Sequence, residues 1–256
     1  MTQPLVIKIG GSTLGEADTT YRDIGALARS GDIPVVVHGG GAEASKWLEA
    51  MGIPSRFERG LRVTDETVLP VVVAVFAGLV NKRIVASLNA QGARAVGLCG
   101  ADGRIIGCRL ASPELGFVGD PVMVDATALH ALRVAGFVPV VGPIGHVPGT
   151  GSDQLVNINA DTVAGEVAAA VNARELLFLT DVAGVQGADG EVIPELTLAE
   201  ARRLIDTGVI TGGMIPKVEA CVHAALLGVP TRIVDGRMPG ALADDASGTR
   251  FAPFSD

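Results

Sequence analysis

Short runs rich in valine, isoleucine and leucine recur along the chain, and each predicts a buried β-strand. The first, Leu5–Ile9, leads into Gly10 and Gly11, and the second, at 33–37, leads into His38 and three glycines. Glycine after a strand permits a tight turn and the close approach of a ligand to the backbone. The other predicted strands lie at 95–100, 138–141, 175–180 and 229–235.

Stretches with helical spacing of apolar residues separate these strands. Helices are predicted at 20–29, 42–51, 66–91, 126–135, 161–171, 197–206 and 218–227, and hairpins or loops at 104–117 and 142–154. Thr197 and Glu200 have the spacing of a capping box. The repeated order of strand, glycine turn and helix predicts βαβ units and a mostly parallel sheet.

Lys8 is the one charged residue in the first apolar run. A lysine in a buried strand is costly unless it meets an anion. Ligands of open α/β sheets bind beyond the carboxyl ends of the strands, where backbone N–H groups and helix N-termini suit phosphate. The stretch is therefore consistent with a phosphate site at Lys8, and equally with a lysine that extends to solvent.

The glycine turn after the second strand has a similar pair of interpretations. Two such turns could hold one anionic group between them, or the glycines could serve only tight packing of strand and helix. We expect His38 to be structural rather than a catalytic base. The four histidines are scattered without metal-ligand spacing, so the sequence predicts no protein-bound metal: His38, His130, His146 and His223.

Several polar residues stand out against their apolar surroundings. Arg62 is a cation in a predicted loop at 60–65, and its guanidinium suits a carboxylate. Asn159 has the character of a helix cap, while Asp161 is placed to orient neighbouring lysines. The polar segment 81–83 lies inside the long apolar helix, and we expect it to form a solvated face or a subunit contact.

Composition narrows the class of protein. Of the 256 residues, 48% are hydrophobic and 19% charged, which excludes a disordered chain and allows one large domain or two lobes. The net charge of −8 argues against nucleic acid as the main partner. We expect no apolar run long enough to cross a membrane and no signal peptide. Three cysteines without CxxC spacing indicate free thiols in a cytoplasmic protein.

Neither a Walker A sequence nor a GxGxxG fingerprint is present, so any nucleotide is bound in another way. Five short motifs, four of which contain glycine, instead resemble, in the same order, those of the amino acid kinase family. They lie at 8–11, 37–41, 60–64, 157–161 and 212–217. The resemblance covers essentially the whole chain. It is closest to the members that phosphorylate N-acetyl-L-glutamate in arginine biosynthesis.

This resemblance implies an open three-layer α/β/α sandwich with a mostly parallel central sheet, divided into two lobes. The lobe at 1–170 would bind the acyl amino acid and form the dimer contact, and the lobe at 171–256 would bind the nucleotide. Lys8 and Lys217 match lysines that stabilise the transferring phosphoryl group, and Asp161 matches the aspartate that orients both.

The resemblance also implies the binding residues. Those for the acyl amino acid are Gly40, Gly41, Arg62 and Asn157. Gly40 and Gly11 match glycines whose N–H groups hold phosphate oxygens. Those for the nucleotide are Gly10, Gly11, Asp181, Val182, Ala183, Gly184, Val185, Gln186, Val209, Ile210, Thr211 and Gly213.

The implied reaction is direct in-line transfer from ATP, bound with Mg²⁺, to the side-chain carboxylate of N-acetyl-L-glutamate. Such a transfer needs positioning and charge stabilisation, and a carboxylate nucleophile needs no base. A non-catalytic ligand sensor on the same fold is the alternative. A sensor would be expected to have lost Lys8, Lys217 or Asp161, and the sequence has all three.

The resemblance finally predicts an oligomeric state. Arginine-inhibited members carry an extra N-terminal helix that joins dimers into a hexamer. Only residues 1–4 precede the first predicted strand here, too few for a stable helix. The expectation is a homodimer built through the N-terminal lobe, without feedback inhibition by arginine.

Overall fold

The structure is a computed structural model that describes residues 2–10, 19–149, 152–242, 244 and 246–251. Its strands are β1 Leu5–Ile9, β2 Val35–His38, β3 Phe57–Glu58, β4 Leu61–Arg62, β5 Ala95–Cys99, β6 Ile106–Leu110, β7 Gly119–Val124, β8 Val138–Gly142, β9 Ile144–Val147, β10 Gln154–Asn157, β11 Glu175–Thr180, β12 Glu195–Leu196, β13 Thr231–Asp235 and β14 Thr249–Phe251. Its α-helices are α1 Thr20–Arg29, α2 Gly41–Ala50, α3 Val68–Val73, α4 Asn81–Ala90, α5 Thr127–Val134, α6 Ala160–Ala170, α7 Leu198–Asp206 and α8 Met214–Leu226.

The central sheet has eight strands in the order β12-β14-β13-β11-β1-β2-β8-β5. Every pairing in it is parallel except β13 with β14. The first strand therefore lies inside the sheet, between β11 and β2, and all five of its residues are buried. A parallel strand covered on both faces needs such an unbroken apolar run, which explains why the sequence pattern identified it.

Alternate residues of β1 belong to two different cores. Ile7 and Ile9 pack with α1, α2, α3 and α4 on one face of the sheet. Val6 packs with α5, α6, α7 and α8 on the other. The three layers confirm the predicted α/β/α sandwich, because side chains of successive strand residues point to opposite faces.

Two smaller sheets complete the fold. One has the strand order β10-β9-β6-β7 and the other is the hairpin β3-β4. Isolated bridges join Thr64 to Gly116 and Val118 to Asn157, which ties the hairpin region to the four-stranded sheet. The segment predicted as a hairpin or loop at 104–117 contains strand β6, and the one at 142–154 contains strand β9.

Two element boundaries differ from the sequence-based expectation. Arg62, expected in a loop, lies in strand β4, and helix α8 begins four residues earlier than predicted, at Met214. Lys217 is therefore inside the first turn of a helix rather than in the glycine turn before it. The glycines at 212 and 213 do not prevent the helix from starting directly after them, because the first N–H groups of a helix have no carbonyl acceptor in a preceding turn.

The predicted long helix at 66–91 is continuous from Val68 to Ala90 and includes a π-helical turn at Ala74–Val80. By length and composition its 23 residues could cross a membrane, so the expectation that no run is long enough is wrong. Core helices of soluble proteins have the same properties, and Val72, Ile84 and Leu88 of this helix are fully or almost fully buried in the core.

Candidate active site

Lys8 and Asp161 form an ion pair at the carboxyl end of β1. The Lys8 Nζ lies 2.5 Å from the Asp161 Oδ1, and Lys8 is 8% exposed. In the sheet, Lys8 is level with Val37 of β2 and Phe178 of β11, so its backbone is fixed from both sides. The structure thus excludes a lysine extended freely to solvent: Asp161 offsets the cost of burying the ammonium group.

Asp161 is held at the start of α6. The Asn159 side chain caps this helix by accepting hydrogen bonds from the backbone N–H groups of Asp161, at 2.8 Å, and Thr162, at 3.1 Å. The structure confirms Asn159 as a cap. The helix N-terminus also favours the Asp161 carboxylate and any further anion nearby.

Arg62 is anchored through three hydrogen bonds. Its Nη1 donates to the Ser55 Oγ at 2.8 Å, and its Nη2 donates to the Ser45 Oγ at 2.7 Å and to the Gly41 carbonyl at 2.9 Å. The guanidinium also stacks over Phe57, 4.6 Å from the ring centre. Burial lowers the pKa of Arg62 below its ordinary value, but a guanidinium remains charged at neutral pH.

Asn157 presents an acceptor atom with no partner among the described residues. Its Nδ2 donates to the Thr64 Oγ1 at 3.1 Å, and that hydroxyl donates in turn to the Arg62 carbonyl at 3.0 Å. The orientation of the amide leaves the Asn157 Oδ1 buried and unsatisfied. A buried acceptor without a donor is costly, so the site is prepared for a ligand that carries an N–H group.

One pocket gathers the four residues predicted to bind the acyl amino acid. Gly40, Gly41, Arg62 and Asn157 all line it. The cationic Arg62 and the unpartnered amide oxygen of Asn157 therefore share one cavity, next to the glycine turn at Gly40 and Gly41. Thr64 belongs to the motif at 60–64, whereas Ser45, Ser55 and Phe57, which also support this arrangement, were not singled out from the sequence, because contacts between individual side chains leave no pattern of apolar and polar positions.

The first segment predicted to bind the nucleotide, residues 181–186, directly follows β11. It has both exposed and buried residues. Asp181, Val182 and Ala183 are exposed, as is Gln186, whereas Gly184 and Val185 are buried. A Cβ atom at Gly184 would lie 2.7 Å from the Thr249 Oγ1. Val185 donates its backbone N–H to the same hydroxyl. The chain is thus fixed at the end of the turn while its start faces solvent.

The second predicted nucleotide segment connects α7 to α8. Val209 and Ile210 both donate their backbone N–H groups to the Leu204 carbonyl. Ile210 is buried in the same apolar core as Val185, whereas Thr211 and Gly213 are exposed. Both predicted nucleotide segments are thus anchored by a side chain in the same hydrophobic core. Gly10 is described and buried, and Gly11 lies outside the described residues.

Lys217 is turned back on its own helix. Its Nζ donates to the Gly213 carbonyl at 3.1 Å. A cleft beside this helix is lined by Asn159 and Asp161 together with Pro216 and Glu219 of α8. The structure brings Lys8 and Asp161 together but does not pair either with Lys217.

His38 and Asn81 form a buried polar cluster below the glycine turn. The Asn81 Nδ2 lies 3.0 Å from the His38 Nε2, and both residues are almost completely buried. The expectation that Asn81 belongs to a solvated face or a subunit contact is therefore wrong, although Lys82 and Arg83 are exposed. Within the described part of the chain, no group of three or more His, Cys, Asp or Glu residues could hold a metal ion.

Comparison with curated proteins finds close relatives over most of the chain. An acetylglutamate kinase of Acidiphilium cryptum is 48% identical over 93% of this chain and 84% of its own. An acetylglutamate kinase of Dehalococcoides mccartyi is 43% identical over 93% of this chain and 89% of its own.

Solved structures agree on the fold. A Streptococcus mutans protein superposes with a TM-score of 0.86 at 28% identity, covering 99% of this chain and 100% of its own. The N-acetylglutamate synthase of Neisseria gonorrhoeae, in a complex with coenzyme A and N-acetylglutamate, has a TM-score of 0.85 at 26% identity, covering 99% of this chain and 60% of its own.

The family model described as "Amino acid kinase family" matches residues 3–235, which include all elements from β1 to β13. The matched region contains the Lys8–Asp161 pair, the Arg62 pocket and Lys217. With this match and the relatives above, the chain belongs to the amino acid kinase family.

Proposed function

We propose that this protein is an acetylglutamate kinase, which transfers the γ-phosphoryl group of ATP to the side-chain carboxylate of N-acetyl-L-glutamate and gives N-acetyl-L-glutamyl 5-phosphate for arginine biosynthesis. The observation that carries the proposal is the pocket beside the Lys8–Asp161 pair. There Arg62 can bind an α-carboxylate while the unpartnered Asn157 Oδ1 accepts an amide N–H. An N-acylated amino acid has both groups on the same carbon atom.

The proposed chemistry is a direct in-line displacement. A carboxylate oxygen of the substrate attacks the γ-phosphorus, the bond from that phosphorus to the β,γ-bridging oxygen breaks, and ADP leaves with the electron pair. No proton moves, so no base is needed. Lys8 and Lys217 stabilise the charge on the transferring group, and Asp161 orients them. Gly11 and Gly40 donate backbone N–H groups to phosphate oxygens.

Magnesium enters as part of the nucleotide substrate. Phosphate oxygens are ligands that Mg²⁺ prefers, and kinase sites usually hold it with few protein carboxylates. The Asp161 carboxylate is already paired with Lys8, so its charge is not free for a metal. EDTA should abolish activity, and excess Mg²⁺ should restore it. Activity that survives EDTA would contradict this part of the proposal.

The two lobes and the oligomeric state are further parts of the proposal. The lobe at 1–170 binds N-acetyl-L-glutamate and the lobe at 171–256 binds ATP through Gly10, Gly11 and Gly213 together with the segments 181–186 and 209–211. We propose a cytoplasmic homodimer built through the N-terminal lobe, where β5 forms an edge of the central sheet. The three described cysteines are free and buried, as a reducing compartment allows. Light scattering measures the molar mass in solution, and the mass of a monomer would contradict the proposed dimer.

The test of the activity measures ADP formation and trapping of the acyl phosphate by hydroxylamine in the same reaction. N-acetyl-L-glutamate should give both products in equal amounts. L-glutamate, which has an ammonium group in place of the amide, and N-acetyl-L-aspartate, which is one methylene shorter, serve as matched controls and should react poorly. Binding of N-acetyl-L-glutamate without turnover would favour a ligand sensor and overturn the proposal.

A further inference from the structure

A chain of hydrogen bonds runs from the exposed Lys82 on helix α4, through the buried Asn81 and His38, to the glycine turn after β2. The Lys82 Nζ donates to the Asn81 Oδ1 at 2.9 Å and to the Gly97 carbonyl at 3.1 Å. The Asn81 Nδ2 faces the His38 Nε2 at 3.0 Å, and the His38 Nδ1 lies 2.6 Å from the Gly39 carbonyl. None of these side chains has a role in the reaction described above.

The surrounding backbone is shaped to hold this chain. Asn81 begins α4 directly after the π-helical turn Ala74–Val80, and such turns often occur at functional sites. A Cβ atom at residue 97 would lie 1.9 Å from the Asn81 Oδ1 and 2.6 Å from the Lys82 Nζ. The edge strand β5 therefore needs glycine at this position.

The partners of Asn81 determine which nitrogen of His38 carries the proton. The Asn81 Nδ2 also donates to the carbonyl groups of Leu98, at 3.2 Å, and Val140, at 3.0 Å. Its two hydrogens are thus shared among three acceptors, and the recorded partner of the His38 Nε2 among the described residues is this donor, which cannot accept a proton. The proton is on Nδ1, which donates to the Gly39 carbonyl.

The charge state of the ring agrees with this geometry. The pKa of His38 is lowered to about 4, mainly by burial and also by the positive charges of Lys82 and Lys8, against the raising effect of the Gly39 carbonyl. The ring is therefore neutral at pH 7. A neutral ring has one donor nitrogen and one acceptor nitrogen. The two nitrogens of His38 match this, because Nδ1 meets the Gly39 carbonyl acceptor and Nε2 meets the Asn81 amide donor.

The bond from His38 fixes a peptide that lies in the proposed site. Because a trans peptide is planar, the Gly40 N–H points opposite to the Gly39 carbonyl that His38 holds. The Gly39 N–H donates to the Ile9 carbonyl at 3.2 Å, which ties the same residue to β1. A Cβ atom at residue 40 would lie 2.8 Å from Phe76 in the π-helical turn. The peptide thus has little freedom to rotate.

We propose that His38 is a positioning residue for phosphoryl transfer: held in one tautomer by Asn81, it orients the Gly39–Gly40 peptide so that the Gly40 N–H meets the reacting phosphate. This inference rests on the proposed function. Asn81 and Lys82 act through His38, and none of the three touches the substrate. Misplacing a reacting group by about 1 Å can cost about 100-fold in rate, so a lost anchor has a measurable effect.

Two substitutions of His38 separate positioning from packing. The amide of His38→Asn can place a donor where Nδ1 is, whereas His38→Gln places its amide near the position of Nε2 and loses the bond to the Gly39 carbonyl. We expect kcat to fall about tenfold to 100-fold in His38→Gln, with the KM for ATP within about threefold, and to stay within about threefold of wild type in His38→Asn. Equal kcat values in the two variants would overturn the proposal.

Nitrogen-15 NMR of the histidine rings tests the hydrogen-bond chain without any assay. At pH 7 the signals that vanish in both His38 variants should belong to a neutral ring protonated on Nδ1. An imidazolium or a ring protonated on Nε2 would overturn the proposal, whatever the activity of the two variants. A wild-type protein with that Nδ1 tautomer but no kinase activity would instead disprove the proposed function, and with it the link of His38 to phosphoryl transfer.

Discussion

The two lysines of the candidate site lie in opposite environments. Lys8 is buried on a central strand and paired with Asp161 at 2.5 Å. Lys217 lies in the first turn of α8 and bonds to a carbonyl of its own helix. One cation is fixed before any ligand arrives, whereas the other must leave its present partner to reach a phosphate. We infer that the acyl side of the site is preorganised and that the nucleotide completes the other side.

The largest expected effect is on the rate. Replacing Lys8 or Lys217 by alanine should each lower kcat about 10²–10³-fold, more than it raises either KM, because each removes a donor to the transition state. The effects on stability should differ. Lys8→Ala leaves the partly buried Asp161 carboxylate unpaired and should cost about 1–3 kcal/mol in the free energy of unfolding.

The half-buried Lys217 has no comparable partner among the described residues, so Lys217→Ala should leave urea unfolding unchanged. Equal losses of stability in both variants would break the contrast between the two lysines. A Lys8→Ala variant with near wild-type kcat would remove Lys8 from the phosphate site.

A smaller effect is expected on the binding of the acyl substrate. Arg62→Lys loses the planar fork that meets Ser45 and Ser55, and should raise the KM for N-acetyl-L-glutamate about tenfold to 100-fold with little change in the KM for ATP. Arg56→Lys is the matched control, because the Arg56 side chain in the same region is 68% exposed. Equal changes in both KM values would place Arg62 outside the acyl pocket.

Lowering the pH should reduce the free energy of unfolding through protonation of His38. Its pKa is about 4 in the folded protein and near 6.5 in the unfolded chain, so the stability it contributes is present above pH 6.5 and is lost as the pH falls toward 4. The slope is about 1.4 kcal/mol per pH unit, or about 3 kcal/mol across this window. Urea unfolding of wild type and His38→Asn at pH 6.5, 5.5 and 4.5 measures the difference, and parallel slopes would contradict it.

The smallest effect is expected from a variant on the proposed nucleotide side of the site. Thr197 caps α7 by accepting from the Glu200 N–H, and the Glu200 carboxylate accepts from the Thr197 N–H in return. Thr197→Ala should cost about 1 kcal/mol in the free energy of unfolding. The KM for N-acetyl-L-glutamate should not move. A change in that KM would show that the two sides are less independent than the lysine comparison indicates.

Local sequence patterns were sufficient to predict those structures that depend on a single short segment. The apolar run of β1, the Asn159 cap and the Thr197 capping box were predicted and confirmed, since each depends on residues within a few positions of one another. The resemblance of the motifs supplied the fold and the residues that we propose to bind the acyl amino acid. The four residues implied for that pocket do line one cavity.

Tertiary contacts decided the rest. The polar residue Asn81 follows an apolar helix and has the local pattern of a surface position, yet its partners lie 17, 43 and 59 residues away in sequence. The free acceptor of Asn157 likewise depends on Thr64, 93 residues away. By itself the sequence determined which segments form strands, helices and caps, because these depend on short-range periodicity and hydrogen bonding. Only the tertiary structure decided which polar groups are satisfied and which remain open to a ligand, because that depends on atoms brought together by folding.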